Sequence, residues 1–193
     1  VLLSADAVSA APWPLPAGPW REGLHALARA RLVFVTRKTA GAETAGALAS
    51  HVARHTKMAN PGIVHIAPGD IVRWGTSERA ALSSFAGRAV FAVSAIGDPA
   101  AFEGQLRNAA LRIEAARYPD HHAFTEAHVE SLMARAGRAD AVVSTLKDAV
   151  KLGPLWPRTA PPLWYLSQHV IIERGQESLA ALIAELVALR RIG

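Results

Sequence analysis

The chain has 193 residues, enough for one well-packed domain or for one domain and part of a second. Hydrophobic residues make up 51% and charged residues 19%, which excludes global disorder, and the absence of cysteine excludes disulfides, zinc–thiolate sites and thiol nucleophiles. The net charge of +5 points to an anionic partner such as a phosphate, a nucleic acid or an acidic membrane surface. The basic residues are spread along the chain rather than blocked together, as on ordinary solvated faces.

With 6% aromatics and no recognisable nucleic-acid module, nucleic acid is the weaker choice among those partners. No apolar run approaches the roughly 20 residues needed to span a bilayer. Val1-Leu2-Leu3 is too short for a signal-peptide core and has no basic region before it. The chain begins without Met, inside an apolar run, and is therefore expected to be a fragment of a longer protein.

From Ala10 to Pro19 there are four prolines and a glycine in ten residues, which reads as loop or extended linker. A short helix-like piece follows from Leu24 to Ala30. Leu32-Val33-Phe34-Val35-Thr36 is a compact branched run and predicts a buried strand. The Ala-rich and Leu-rich stretch from Ala42 to His55 predicts a helix. Gly62 to Ile66 and Asp70 to Trp74 read as two strands around a turn at Ala67-Pro68-Gly69.

Arg88 to Ser94 is the clearest buried strand. It leads through Ala95-Ile96-Gly97-Asp98 into a helix from about Pro99 to Ala110, with Asp98 before a proline as its start signal. Leu111 to Ala116 predicts a short strand. Thr125 caps a helix to about Ala136, and Ala141 to Thr145 predicts another strand. Leu163 to Leu166 and Val170 to Glu173 read as a strand pair or one bent strand. Ser178 to Arg191 reads as a strongly periodic closing helix.

Strands alternating with helices imply an α/β fold: a mostly parallel twisted sheet flanked by helices, with a β-rich edge. Such sheets bind ligands beyond the carboxyl ends of their strands. Three polar features fall at such ends: Thr36-Arg37-Lys38, Ser94 to Asp98, and Thr145 to Lys151. The run Tyr118-Pro119-Asp120-His121-His122-Ala123-Phe124 joins the same rim if it follows the Leu111 to Ala116 strand.

Asp120-His121-His122 has three readings. Asp120 caps backbone while the histidines are solvated; or the run ligates manganese or zinc; or Asp120 orients an imidazole whose far nitrogen faces a substrate, as acid/base chemistry needs. Lys147 and Asp148 read either as a surface ion pair or as an anion-neutralising lysine beside an aspartate that holds the loop. Arg21-Glu22, after a rigid Pro-Gly-Pro segment, reads either as an exposed pair of little worth or as an arginine fixed for phosphate or sugar hydroxyls. The other histidines, His25, His51, His55, His65, His128 and His169, read as structural or solvent-facing. The sequence contains no G-x-x-x-x-G-K-[ST], no G-x-G-x-x-G and no G-x-S-x-G.

Four segments in order resemble the tetraacyldisaccharide 4'-kinase family, the lipid A pathway kinases of Gram-negative bacteria. They are Leu15-Pro16-Ala17-Gly18-Pro19-Trp20-Arg21-Glu22, Phe91 to Phe102 with its Ala95-Ile96-Gly97-Asp98-Pro99, Pro119-Asp120-His121-His122-Ala123-Phe124-Thr125, and Thr145-Leu146-Lys147-Asp148-Ala149-Val150-Lys151. The resemblance implies ATP-dependent transfer of a phosphoryl group to the 4'-hydroxyl of a tetraacyldisaccharide 1-phosphate, giving lipid IVA, at the cytoplasmic face of the inner membrane. It implies His121 and Asp120 as catalytic residues and Arg21, Glu22, Lys147 and Asp148 as substrate-binding, with no metal ligand in this chain. ATP and Mg2+ are implied to bind an amino-terminal P-loop domain, whose motifs this sequence lacks. Residues 1–22 would then be linker or the end of that domain, and 23–193 a Rossmann-like carboxyl-terminal domain, inactive by itself.

The sequence departs from the family pattern at Leu146 for Glu, Trp20 for Leu and Ala95 for Gly. Two other readings stay open: a non-enzymatic sugar-phosphate-binding domain, and a metal-dependent phosphoesterase using the Asp-His-His loop.

Overall fold

The computed structural model describes residues 1–7, 15–17, 22–56 and 60–190, so Arg21 and most of the proline-rich stretch lie outside the described residues. The chain divides into two compact units, one made of Val1–Ala67 with Val170–Gly193 and the other of Pro68–His169.

The first unit opens with β1 (Leu2–Ser4), a strand not expected from the sequence, and a short 3-10 helix at Leu24–Arg29. β2 (Phe34–Arg37), α1 (Ala42–Thr56) and the first half of β3 (Gly62–Arg73) follow. β1 and β2 are parallel, with Leu3 opposite Val35, and β2 and β3 are parallel, with Val35 opposite Ile63. Val33, Val35 and Ile63 pack against Ala45, Leu48, Ala49 and Val52 of α1, so burial of one apolar helix face holds this small sheet together.

β3 is one continuous strand, where the sequence reading has two strands and a turn at Ala67-Pro68-Gly69. Gly69 is there for close approach rather than for turning. A β-carbon on it would lie 2.5 Å from Ser167 Oγ and 2.7 Å from His169 Nε2. Ser167 Oγ also donates to the Asp70 carbonyl at 2.8 Å. Turn-forming residues were read as a turn when a neighbouring strand had claimed them.

The second unit continues with the rest of β3 and with β4 (Arg79–Ala80), which pairs with it antiparallel. β5 (Ala89–Ser94), α2 (Pro99–Asn108), β6 (Arg112–Arg117), α3 (Glu126–Ala136), β7 (Ala141–Thr145), α4 (Leu146–Leu152) and β8 (Leu163–Arg174) follow. β5 lies between β6 and β7, parallel to both, and β7 is parallel to β8. The mostly parallel α/β architecture is the one the sequence pattern predicts.

Alternation along these strands builds two cores. Val90, Ala92, Val143, Trp164 and Leu166 face one side with Phe102 and Leu106 of α2. Phe91, Val93, Val142 and Leu163 face the other with Val129 and Leu132 of α3 and Leu152 of α4. Covering both faces leaves the strand ends as the place where polar groups can converge.

β8 is one strand of 12 residues, and α5 (Gln176–Arg190) closes the chain in the first unit. The periodicity read in α5 does not correspond to a buried stripe: no residue of this helix is buried, and Ile183, Leu186, Val187 and Leu189 are each about half exposed.

Candidate functional site

Three strand ends of the second unit bring the site together. β5 ends at Ser94 and passes into Ala95-Ile96-Gly97-Asp98. Asp98 caps α2 by accepting from the Ala101 N–H at 3.1 Å, with Pro99 in the first turn. β6 ends at Arg117, and the Tyr118 N–H donates to the Ser94 carbonyl at 2.9 Å, so the Asp-His-His loop starts in register with the end of β5. β7 ends at Thr145, which caps α4.

Asp120 is the hub of the exposed part. Its Oδ1 accepts from Lys147 Nζ at 3.0 Å and from the His121 N–H at 2.9 Å. The Lys147 hydrogen bond leads in holding its carboxyl below the usual carboxylate range; desolvation opposes it, and the nearby charges of His121 and Lys147 add to the lowering. Its Oδ2 lies 3.7 Å from His121 Nε2, an ion-pair distance rather than a hydrogen bond. A β-carbon on Gly97 would sit 3.7 Å from the same Oδ2, so the loop after β5 passes close to this carboxylate.

His121 has φ of +62°, a left-handed backbone rarely adopted outside glycine, asparagine and aspartate. That conformation accompanies a side chain that is 77% exposed. An exposed imidazole beside a carboxylate and a lysine is an arrangement suited to proton transfer on a bound ligand.

His122 is placed differently. Its ring stacks on Tyr118 at 4.6 Å and meets Phe124 at 5.0 Å, and its carbonyl accepts from Lys151 Nζ at 3.1 Å. The aromatic packing makes His122 the anchor of the loop and leaves His121 as the outward histidine. His128, read from the sequence as unremarkable, completes a reciprocal cap. Its N–H donates to Thr125 Oγ1 at 3.4 Å, and its Nδ1 accepts from the Thr125 N–H at 3.2 Å. The signal was present as Thr-x-x-His, a capping box with imidazole where Glu or Gln is usual.

Lys147 and Asp148 are not paired with each other. Lys147 reaches Asp120, whereas Asp148 is wholly buried and accepts from the Ala95 N–H at 3.0 Å and from Thr145 Oγ1 at 2.8 Å. Glu22 belongs to the first unit, where it pairs with Arg29 at 2.6 Å. The Arg37-Lys38 strand end is also internally engaged. Arg37 forks onto Glu173, and Asp6 accepts from the N–H groups of Lys38, Thr39 and Ala40 at 2.7–2.8 Å.

Residues 1–188 match the family described as Tetraacyldisaccharide-1-P 4'-kinase. The chain belongs to this family. It is 32% identical over 169 residues to a protein named Tetraacyldisaccharide 4'-kinase from Anaeromyxobacter sp. (strain Fw109-5), a match covering 86% of this chain and 45% of that relative. A relative of the same name from Geobacter metallireducens is 39% identical over 150 residues, covering 75% and 41%. One from Anaeromyxobacter sp. (strain K) is 34% identical over 179 residues, covering 90% and 47%. The chain thus spans less than half the length of these kinase-family relatives. No solved structure gives a significant match.

Kinases of this family use ATP and Mg2+. The residues present do not fit either group: the sequence has no glycine-rich phosphate loop, and among the described residues no three His, Asp or Glu side chains are grouped so as to hold a metal ion. Among the described residues no helix is long and apolar enough to cross a membrane.

Proposed function

We propose that this chain is the acceptor-handling part of a tetraacyldisaccharide 4'-kinase, acting on the 4'-hydroxyl of tetraacyldisaccharide 1-phosphate to give lipid IVA. The observation that carries the reading is the Lys147–Asp120–His121 group at the carboxyl-end rim of a parallel sheet. His121, exposed and beside a carboxylate, takes the proton of the acceptor hydroxyl. Asp120 stabilises the resulting imidazolium and orients the ring, as a carboxylate does for a catalytic histidine. Lys147, half exposed and already turned to the rim, offers its charge to a phosphate of the ligand.

In this reading residues 1–22 end a nucleotide-binding part carried by a longer protein, and 23–193 form the carboxyl-terminal part. Its support is the share of the relatives that this chain spans. ATP and Mg2+ fall to that other part, and the chain by itself is inactive. Arg21 and Glu22 contact the acceptor. The net charge of +5 suits a phosphorylated lipid at the cytoplasmic face of the inner membrane.

The test is to join this chain to the amino-terminal part of the Anaeromyxobacter relative and follow ATP-dependent phosphorylation of tetraacyldisaccharide 1-phosphate. The fusion is expected to turn over and the chain alone is not. His121→Ala in the fusion is expected to lower kcat by roughly 10²-fold or more, the usual scale for an acid/base group. Turnover unchanged by His121→Ala would remove His121 from the chemistry.

A further inference from the structure

The family resemblance groups Asp148 with the substrate-binding residues, and its geometry points elsewhere. It is 0% exposed, so no ligand reaches it without rearrangement of the core. Its Oδ2 accepts from two donors on two different strand ends, the Ala95 N–H after β5 and Thr145 Oγ1 at the end of β7. Its own N–H donates back to Thr145 Oγ1 at 3.2 Å, so Thr145 and Asp148 lock the first turn of α4 reciprocally. Its Oδ1 is buried with no hydrogen-bond partner among the described residues.

We infer that Asp148 is a positioning residue: from inside the core it fixes the start of the Ala95–Asp98 loop, which passes beside Asp120, and the α4 turn from which Lys147 reaches Asp120. The chain of contacts is short. Asp148 holds Ala95; two residues on, a β-carbon on Gly97 would come within 3.7 Å of Asp120 Oδ2; one residue before Asp148, Lys147 donates to Asp120 Oδ1. One buried side chain thereby anchors both the loop beside the exposed group and the helix turn that carries its lysine. The inference builds on the reading of that group as an acceptor site, but its structural part stands or falls separately.

The two carboxylate oxygens make the role testable. One oxygen does all the accepting and the other does none. An asparagine side chain can keep its carbonyl oxygen at the Oδ2 position, facing Ala95 N–H and Thr145 Oγ1, and place its NH2 at the Oδ1 position, where no hydrogen bond is lost. A positioning role therefore survives Asp148→Asn and is lost in Asp148→Ala. A role in which the negative charge meets a ligand or a proton is lost in both.

The experiment compares wild type, Asp148→Asn and Asp148→Ala in the 193-residue chain. Hydrogen exchange of the Ala95 amide is followed by NMR, together with a titration by tetraacyldisaccharide 1-phosphate in detergent. In Asp148→Ala the Ala95 amide is expected to exchange at least about tenfold faster than in wild type, scaled to the loss of a buried hydrogen bond. The Ile96–Asp98 amide shifts are expected to move and lipid affinity to fall. In Asp148→Asn both readouts are expected to stay within about threefold of wild type. A general loss of stability would instead raise exchange across β5 and β7 alike, which distinguishes it from release of this one loop.

Equal loss of lipid affinity in both variants with Ala95 still protected would overturn the inference and make Asp148 a ligand contact. Unchanged Ala95 exchange in Asp148→Ala would overturn it as well. If wild type binds no lipid, the acceptor-site reading fails while the exchange comparison still decides the role of Asp148. Should Asp148→Ala not fold, Asp148→Leu, of similar shape and without an acceptor, carries the same comparison.

Discussion

At the scale of the residue, two carboxylates in the second unit show how position decides a charge's role. Asp120 lies at the surface, with its carboxyl depressed by the Lys147 hydrogen bond first and by nearby positive charge after it. A depressed folded value means that its contribution to stability is present above the unfolded value, near 3.9, and is lost as pH falls through the folded one. Lys147→Ala is expected to move the Asp120 carboxyl titration, followed by NMR between pH 2 and about 6, back upward; an unmoved titration would mean that the pair does not form in solution. Glu103 is the buried counterpart, 1% exposed, receiving Arg117 at 2.6 and 2.9 Å and Arg107 at 2.9 Å. The Arg117 hydrogen bond leads in holding its carboxyl below the usual range, so its stabilisation too is present above about pH 4.3 and lost on acidification. Glu103→Gln is expected to cost about 1–3 kcal/mol in urea unfolding near neutral pH, below the usual cost of breaking a buried pair because both guanidinium groups stay more than half exposed. A cost below about 0.5 kcal/mol would make the fork an ornament of the surface.

At the scale of the element, what the sequence disclosed followed from how local each signal was. β5, β7, α2 and α3 were legible because their burial or caps are written in adjacent residues: Val90 to Val93, Ala141 to Val143, Asp98-Pro99 and Thr125. The Asp120–His121–Lys147 group was legible in part, since each residue stood out beside a strand end. Asp148 was legible only as one of two readings, an aspartate that holds the loop; its partner was not, because nothing local points to a backbone N–H 53 positions away. β3 was misdivided for a like reason, as Gly69 answers to Ser167 and His169 of the neighbouring strand, whereas β8 is the single strand that was one of its two readings. Gly153 belongs with Gly69. A β-carbon there would lie 1.9 Å from the Trp74 indole, so the start of the turn after α4 is open only to glycine while Trp74 packs on it. Gly153→Ala is expected to displace Trp74 from the core formed with Phe91, Val142 and Leu163, costing about 1–3 kcal/mol with a red shift in tryptophan emission. Unchanged emission and stability would show that the indole is not seated there.

At the scale of the whole molecule, the division of the chain separates a contiguous unit from a discontinuous one. Pro68–His169 is an unbroken segment, whereas the first unit is assembled from both ends of the chain. The contiguous unit has about 100 residues, a common size for a domain that folds alone. It holds both cores that face the β5–β7 sheet, and it contains every member of the Asp120, His121, Lys147 and Asp148 group. Its contacts close within its own segment: Asp148 to Ala95, Lys147 to Asp120, Lys151 to His122, Ser167 to Asp70. The first unit lacks that autonomy, because β1, β2 and α1 precede the other unit in the chain and α5 follows it. Expressed by itself, Pro68–His169 is expected to unfold in one cooperative transition, and its amides from Tyr118 to Thr125 are expected to keep the chemical shifts they have in the full chain. A fragment that folds but shows shifted loop amides would mean that the Asp-His-His geometry is imposed from outside this segment. A fragment that does not fold would mean that the sheet needs residues of the first unit.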